Sequence, residues 1–210
     1  MDDQTLKTGT TTIGIVTSEG VVLASERRAT MGNIIAHKEV QKVFKIDDNL
    51  GMTIAGVVGH AQLLTRYVKA EVQLYRLKKG SPMTVKAAST LVANIVRNGF
   101  YVGLIVGGWD RNGGHVYSID GAGGSIEDKY VSVGSGSVFS LGVLENGYKD
   151  DLSLDGAVDL AIASLNASMR RDSASGNGMM VVTVNDKGFT EVPEDELITR
   201  TEKLGFKYPN

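Results

Sequence analysis

The sequence contains no cysteine, and its 210 residues include only three histidines, one tryptophan and three prolines. The absence of cysteine excludes disulfide bonds, thiolate metal sites, iron–sulfur clusters and a cysteine nucleophile. The histidines, His37, His60 and His115, lie too far apart in sequence to form a helical pair of metal ligands. The sequence therefore predicts neither a metal nor a cofactor, and its chemistry has to use oxygen, nitrogen or an isolated histidine.

The chain also lacks a strong charge of either sign. Lys and Arg total 22 against 24 Asp and Glu, a formal net charge of −2, so nothing favours a nucleic-acid partner. It begins with Met1-Asp2-Asp3-Gln4, which is acidic where a signal peptide is basic, and no apolar run approaches the roughly 18 residues of a membrane span. We expect a cytoplasmic protein without membrane or nucleic-acid partners.

Two common catalytic motifs are missing as well. The sequence has no Gly-x-x-x-x-Gly-Lys-Ser/Thr phosphate loop, and Gly134-Ser135-Gly136-Ser137 has the wrong register for a serine nucleophile elbow. Glycine, in contrast, is abundant, with 26 residues. Because no proline-rich or low-complexity run accompanies it, this glycine indicates turns and close backbone approaches in an ordered fold.

The hydrophobic periodicity predicts strands in groups, separated by groups of helices. Strands are predicted over 11–17, 21–25, 42–46, 51–55, 100–106, 115–119, 130–133, 179–184 and 189–192. Helices are predicted over 61–79, from a Ser81-Pro82 start to 95, near 139–144, over 154–170 with Ser153 as cap, and at the C-terminus. This order favours one α+β domain with two antiparallel sheets face to face and helices outside.

The most informative segment is Lys7-Thr8-Gly9-Thr10-Thr11-Thr12. Three threonines at the start of a strand are explained by strand preference alone. Further motifs follow in order: 25–32 (SERRATMG), Lys42 before a strand, 51–56 (GMTIAG), 134–137 (GSGS) and 171–176 (RDSASG). Taken together, the set resembles the β subunits of archaeal-type 20S proteasomes, over essentially the whole chain from Thr10 onward.

The resemblance implies the four-layer αββα sandwich of N-terminal-nucleophile hydrolases, in agreement with the element order. It implies that residues 1–9 form a propeptide removed by autocatalytic cleavage and that residues 10–210 form the catalytic domain. The helix signature of proteasome α subunits is missing at the start, so the catalytic ring is implied and not the gating ring. The expected activity is that of a threonine endopeptidase.

In that family the peptide bond before the threonine is cut, here Gly9–Thr10, which frees the α-amino group of Thr10. Such an amine has a reference pKa of about 7.7–8.0, so it can act as the base for its own hydroxyl. The further catalytic residues that the resemblance implies are Glu26, Lys42, Gly56, Ser135, Asp172 and Ser175. By the same resemblance, Lys42 is expected to lower the pKa values at Thr10 and to be held by Glu26, and the Gly56 N–H is expected to stabilise the oxyanion.

The last three of these residues, Ser135, Asp172 and Ser175, are expected to hydrogen-bond the threonine and orient its amine. Arg28 is expected to support the site structurally. Substrate-binding positions implied by the same resemblance are Ala29, Thr30, Val40, Ile54 and Val58, with Thr30 and Gly56 presenting backbone to an extended substrate. Four of them are apolar, so we expect broad cleavage after apolar or aromatic residues; the alternative is that these residues simply belong to the core.

The chain is expected to form a homo-oligomeric seven-membered β ring, which stacks on a second β ring and on α-subunit rings. Its further expected partners are a regulatory ATPase, which acts through the α rings, and unfolded protein substrates. Two alternatives remain: a bacterial-type two-ring threonine peptidase, and a catalytically silent structural subunit. The 171–176 segment argues against the first, and the presence of Gly9, Thr10 and Lys42 against the second.

Two departures from the family are the lack of a proline in 97–102 and the pair Met179-Met180 where an acidic residue is common.

Overall fold

A computed structural model describes residues 9–209, and within that range the chain forms twelve strands and five helices. The strands are β1 (Thr11–Val16), β2 (Val21–Glu26), β3 (Ala29–Met31), β4 (Ile34–His37), β5 (Val43–Asp47), β6 (Leu50–Gly56), β7 (Val102–Asp110), β8 (Gly113–Ile119), β9 (Ser125–Glu127), β10 (Tyr130–Gly134), β11 (Met179–Asn185) and β12 (Gly188–Glu191). The helices are α1 (Val58–Lys79), α2 (Val85–Val96), α3 (Ser137–Gly147), α4 (Leu154–Met169) and α5 (Glu194–Lys203). Of the predicted propeptide, residues 1–8 lie outside the described range.

Ten of the described strands build two five-stranded sheets in which all neighbours are antiparallel. The first sheet has the order β10-β1-β2-β11-β12, and the second has the order β5-β6-β7-β8-β9. Strands β3 and β4 form a separate hairpin. The predicted pair of antiparallel sheets is therefore confirmed.

Helices cover the outer face of each sheet. α1 and α2 pack on the second sheet, and α3 and α4 pack on the first. A third apolar cluster, which includes Leu23, Ile105 and Val182, fills the space between the two sheets. The layers are thus helix, sheet, sheet, helix, the αββα sandwich that the sequence predicted.

The sequence of β2 shows why the sheets lie in the middle. Side chains alternate along a strand, so Val22 and Ala24 point toward the helices while Val21 and Leu23 point toward the other sheet. A strand that is covered on both faces is continuously apolar rather than alternating. The sheets also approach closely at Gly14, where a Cβ atom would lie 2.7 Å from Val116.

The start of α2 differs from the prediction. The N-cap is Thr84, whose hydroxyl accepts a hydrogen bond from the Ala87 N–H at 3.3 Å, and not Ser81. Ser153 does cap α4, accepting from the Gly156 N–H at 3.1 Å. The predicted cap was wrong because residues 82–84 separate Ser81 from Val85, the first residue of the helix.

Some element boundaries and short strands were also missed. The β3–β4 hairpin and β9 were not predicted, because strands of three or four largely exposed residues carry no hydrophobic alternation. α1 begins at Val58 rather than residue 61, and β7 begins at Val102 rather than residue 100. None of the helices between residues 9 and 209 combines the length and apolar character needed to cross a membrane.

Candidate active site

The predicted catalytic residues come from separate elements that end at the same edge of the sandwich. Thr10 immediately precedes β1, which lies between β10 and β2 in the first sheet. Thr11 is therefore opposite Gly134, and Thr12 is opposite Ser25. Of the others, Ser135 follows β10, Glu26 ends β2, Lys42 precedes β5, Gly56 ends β6, and Asp172 and Ser175 lie between α4 and β11.

Thr10 is 3% exposed, and its polar atoms have defined partners. Its hydroxyl donates to the Gly9 carbonyl oxygen at 2.6 Å. Its backbone N–H donates to Ser135 Oγ at 3.1 Å. The hydroxyl thus lies against the carbonyl of the peptide bond whose cleavage would free the Thr10 amine.

Asp172 organises a set of hydroxyl groups beside Thr10. Its Oδ2 atom accepts hydrogen bonds from Ser135 Oγ at 2.6 Å and from Ser175 Oγ at 2.7 Å. Ser175 is fully buried, and its Oγ is also 2.8 Å from Thr11 Oγ1. In this structure Asp172 and Ser175 therefore reach Thr10 through Ser135 and Thr11, whereas Ser135 contacts its N–H directly.

Glu26 and Lys42 form a buried ion pair, with 0% and 5% of their surfaces exposed. Besides the Lys42 ammonium, the Glu26 carboxylate accepts from the N–H groups of Thr11 at 3.3 Å, Arg28 at 2.7 Å and Gly176 at 3.1 Å. Lys42 also donates to the Arg28 carbonyl. A buried carboxylate and a buried ammonium require hydrogen-bonded partners of this kind.

Burial shifts both members of this pair toward their neutral forms. Burial lowers the pKa of Lys42 below its ordinary value, and the charge of Glu26 only partly offsets this. Burial likewise raises the pKa of Glu26, against the opposing effects of Lys42 and the backbone donors. A lysine with a lowered pKa can exchange a proton closer to neutrality than a solvated one.

A cavity of about 440 Å³ opens beside Thr10. It is lined by Gly9, Thr10, Arg28, Ala29, Thr30, His37, Glu39, Val40, Gln41, Lys42, Phe44, Ile54, Gly56, Val58, Ala61 and Gln62. All five predicted substrate-binding residues are among them, together with Thr10, Lys42 and Gly56. A volume of this size accommodates a side chain and adjoining backbone of a peptide.

Gly56 closes one side of this cavity with a backbone conformation that favours glycine. Its φ is +144°, and a Cβ atom there would lie 2.6 Å from the Tyr101 carbonyl oxygen and 3.1 Å from Val102 Cα. Both the conformation and the space therefore exclude a side chain. The glycine ends β6 and is separated from α1 by one residue, Val57, so its position depends on both elements.

Arg28 holds the loop that contains Asp172 in place by hydrogen bonds. Its Nε donates to Asn177 Oδ1 at 2.7 Å, and its Nη1 donates to the Ser173 carbonyl at 2.8 Å. A Cβ on Gly176 would collide with the guanidinium. These contacts are those of a residue that supports the site.

Sequence reasoning missed part of the cavity wall. Ala61 and Gln62 follow Val58 by three and four residues on α1, so helical periodicity could have identified them. His37 and Glu39 come from β4 and the segment after it, and β4 carried no recognisable pattern. The wall consequently includes two polar residues, His37 and Glu39, beside the apolar residues that were predicted.

Comparison with known proteins gives consistent similarities. A family model described as "Proteasome subunit" matches residues 6–184. A protein named proteasome subunit beta from Methanothermobacter thermautotrophicus is 48% identical over 97% of this chain and 100% of its own length. One of the same name from Thermoplasma acidophilum is 49% identical over 97% and 98%. A third, from Picrophilus torridus, is 48% identical over 96% and 98%.

Proposed function

The chain belongs to the proteasome subunit family as a β subunit and so to a multi-subunit protease, and on this premise we propose that it is a threonine endopeptidase that activates itself. Thr10 is the nucleophile, and cleavage of the Gly9–Thr10 bond supplies its base. The observation that carries this proposal is the 2.6 Å hydrogen bond from the Thr10 hydroxyl to the Gly9 carbonyl, beside the cavity. The same residue is thus next to the bond to be cut and next to the space for substrate.

Self-cleavage can proceed without a free amine. The Thr10 Oγ loses its proton and attacks the Gly9 carbonyl carbon, the C–N bond breaks, and the Thr10 nitrogen takes up that same proton, directly or through a water, to become an amine. This leaves Gly9 joined to Thr10 Oγ as an ester, which water hydrolyses to a Gly9 carboxylate and a free hydroxyl. The short separation between hydroxyl and carbonyl group supports this route, because close approach of reacting groups is itself a large rate contribution.

Peptide hydrolysis then uses the same atoms on an external substrate. The freed Thr10 amine, oriented by Ser135, takes the hydroxyl proton while Oγ attacks the substrate carbonyl carbon. The amine passes that proton to the leaving nitrogen, and water hydrolyses the acyl-threonine ester. The Gly56 N–H stabilises the oxyanion formed in each step, a contribution of about 2.7–4 kcal/mol for one donor.

The charged pair tunes this chemistry. Lys42 places a positive charge at the cavity wall beside Thr10, which favours the deprotonated hydroxyl. The Glu26 carboxylate, which also accepts hydrogen bonds from three backbone N–H groups, holds the Lys42 ammonium in place. Asp172 fixes Ser135 and through it the amine.

The proposed specificity is cleavage after apolar or aromatic residues. Ala29, Val40 and Ile54 give the cavity an apolar part, to which Val58 at the start of α1 also contributes. One methylene in such a pocket is worth about 1–3 kcal/mol, so the preference is broad. Thr30 and Gly56 both line the cavity, where their backbones can pair with an extended substrate.

We further propose a seven-membered homo-oligomeric β ring, stacked on a second β ring and on α-subunit rings, which degrades unfolded proteins delivered by a regulatory ATPase. Large apolar side chains that stay exposed on the single chain support burial in an assembly. They include Leu77 on α1 and Val138, Phe139 and Leu141 on α3. The alternative is a particle of two rings without α subunits. The mass of the purified particle distinguishes the two assemblies.

The test of catalysis is a pair of substitutions in the assembled particle. Thr10→Ala removes the hydroxyl, so peptide hydrolysis should fall at least about 10³-fold and the chain should retain Gly9. Thr10→Ser keeps both hydroxyl and amine, so it should process and hydrolyse. Wild-type activity and processing in Thr10→Ala would show that Thr10 is not the nucleophile and would favour a silent subunit in which another chain acts.

A further inference from the structure

The backbone wall behind Gly56 is built by residues 100–102. Gly56 and Val102 are paired across β6 and β7, and the Tyr101 carbonyl occupies the space where a side chain of residue 56 would be. Gly56 therefore cannot move back, and the position of its N–H depends on where Tyr101 and Val102 lie. From the sequence, this segment was predicted as the start of a strand and lacks the proline often found there in the family.

One side chain joins this wall to α1. His60, in the first turn of α1, accepts a hydrogen bond at its Nδ1 from the Tyr101 N–H at 3.4 Å. Its ring stacks on that of Tyr101, with centroids 6.3 Å apart and planes at 21°. It meets the ring of Phe100 edge-on, with centroids 5.7 Å apart. Three contacts thus connect one imidazole to two successive residues of the wall.

These contacts connect Gly56, His60 and Tyr101 in a closed path. From Gly56 the chain enters α1 and reaches His60 four residues later. From His60 the hydrogen bond crosses to Tyr101, whose carbonyl returns to Gly56. We propose that His60 is a positioning residue that holds the Gly56 N–H at the oxyanion site. This inference rests on the proposed role of Gly56 as oxyanion donor.

The contact is suited to positioning more than to stability. Tyr101 is 78% exposed, so water can replace the imidazole as acceptor for its N–H when His60 is changed. The free energy of unfolding should therefore change little. Residues 100–102 would nevertheless be held less firmly, and the Gly56 N–H with them. Oxyanion stabilisation depends steeply on the position of its donor.

Two variants separate the hydrogen bond from the rest. His60→Asn places an oxygen acceptor at the position of Nδ1, whereas His60→Leu removes the acceptor and fills the space with an apolar side chain. Tyr67→Leu is the matched control, because Tyr67 is a half-exposed aromatic residue on the same helix and does not line the cavity. All are assayed as assembled particles with a peptide substrate that ends in an apolar residue before the cleaved bond.

The readouts are kcat, KM, the thermal midpoint and the affinity for a peptide aldehyde. An aldehyde adds to the Thr10 hydroxyl, and the oxygen of the adduct occupies the oxyanion site, so its affinity reports oxyanion stabilisation. His60→Leu should lower kcat and weaken aldehyde binding, each about tenfold, with KM and the thermal midpoint unchanged. His60→Asn and Tyr67→Leu should remain within about twofold of wild type.

Wild-type kcat and aldehyde affinity in His60→Leu would overturn the inference and leave the proposed function intact. A loss that appears equally in KM and the thermal midpoint would also overturn it, because it would show a general structural role. If the wild-type particle itself neither hydrolyses the peptide nor binds the aldehyde, the proposed function fails, and that result is distinct from the other two.

Discussion

Replacing Gly9 by alanine should slow self-activation strongly for steric reasons. A Cβ atom at this position would overlap the methyl carbon of Ala174 and would lie 2.9 Å from Ser135 Oγ and 3.2 Å from Ala174 Cα. Ala174 belongs to the same loop as Asp172, which holds Ser135. The added methyl group must therefore displace either this loop or the carbonyl group of residue 9.

Either displacement damages the geometry of cleavage. Ordinary carbon contacts are about 3.5–4.0 Å, so relief of the overlap needs a shift of more than about 1 Å. A misplacement of about 1 Å between reacting groups costs roughly 100-fold in rate. We therefore expect Gly9→Ala to be processed about 100-fold more slowly than wild type.

A second substitution tests whether Ala174 is the obstacle. Gly9→Ala combined with Ala174→Gly removes the closest contact but leaves Ser135 Oγ, so processing should recover about tenfold, equivalent to about 1.4 kcal/mol of the 1–3 kcal/mol typical of overpacking. Gly59→Ala is the control, because a Cβ there meets no atom within 4 Å.

The assay is a time course of intact mass during particle assembly, which counts chains with and without residues 1–9. Peptidase activity should rise in proportion to the processed fraction. Wild-type processing of Gly9→Ala would refute the packing argument. A double variant no faster than the single one would show that Ala174 is not what blocks it.

Three further predictions concern single side chains. Lys42→Met leaves the Glu26 carboxylate buried without a cation, which should lower the free energy of unfolding by about 3–5 kcal/mol at neutral pH. Because burial raises the pKa of Glu26, protonation should relieve this deficit on acidification, and a deficit in thermal midpoint that is absent or independent of pH would contradict it. Val40→Ala should enlarge the pocket and shift kcat/KM toward larger apolar residues before the cleaved bond, by about 1–3 kcal/mol. The measurement is kcat/KM for a series of peptides that differ at this residue. An unchanged ranking of the peptides would show that Val40 does not determine specificity. Thr84→Ala should reduce unfolding free energy by about 1 kcal/mol and Ser81→Ala should not, with the reverse order in chemical denaturation counting against the observed cap.

The sandwich was predictable because its central strands are buried on both faces. Val21 to Ala24 form an uninterrupted apolar run, and such runs grouped between helices specify two covered sheets. The β3–β4 hairpin was not predictable in this way, since the side chains of β4 are exposed and its position is set by tertiary contacts. It nevertheless brings His37 to the cavity, so part of the wall lay beyond any periodicity rule.

The candidate site was accessible only through the resemblance of its motifs. Ser135 and Asp172 are 37 positions apart, and no spacing rule joins a turn after one strand to a loop before another. What the motifs did not reveal is the route of the contacts, in which Ser175 bonds Thr11 rather than Thr10. His60 was considered only as a metal ligand, and its contact with Tyr101 depends on how α1 packs beside β7.

The central claim is that Thr10 becomes the N-terminal residue and is the nucleophile. The most direct measurement is the intact mass of the chain from purified, active particles, before and after treatment with an electrophile that reacts covalently with peptidase nucleophiles. The account predicts a chain that begins at Thr10 and gains one label, located by fragmentation at that residue. A fully active particle whose chain still begins at Met1, or whose label lies on another residue, would contradict it.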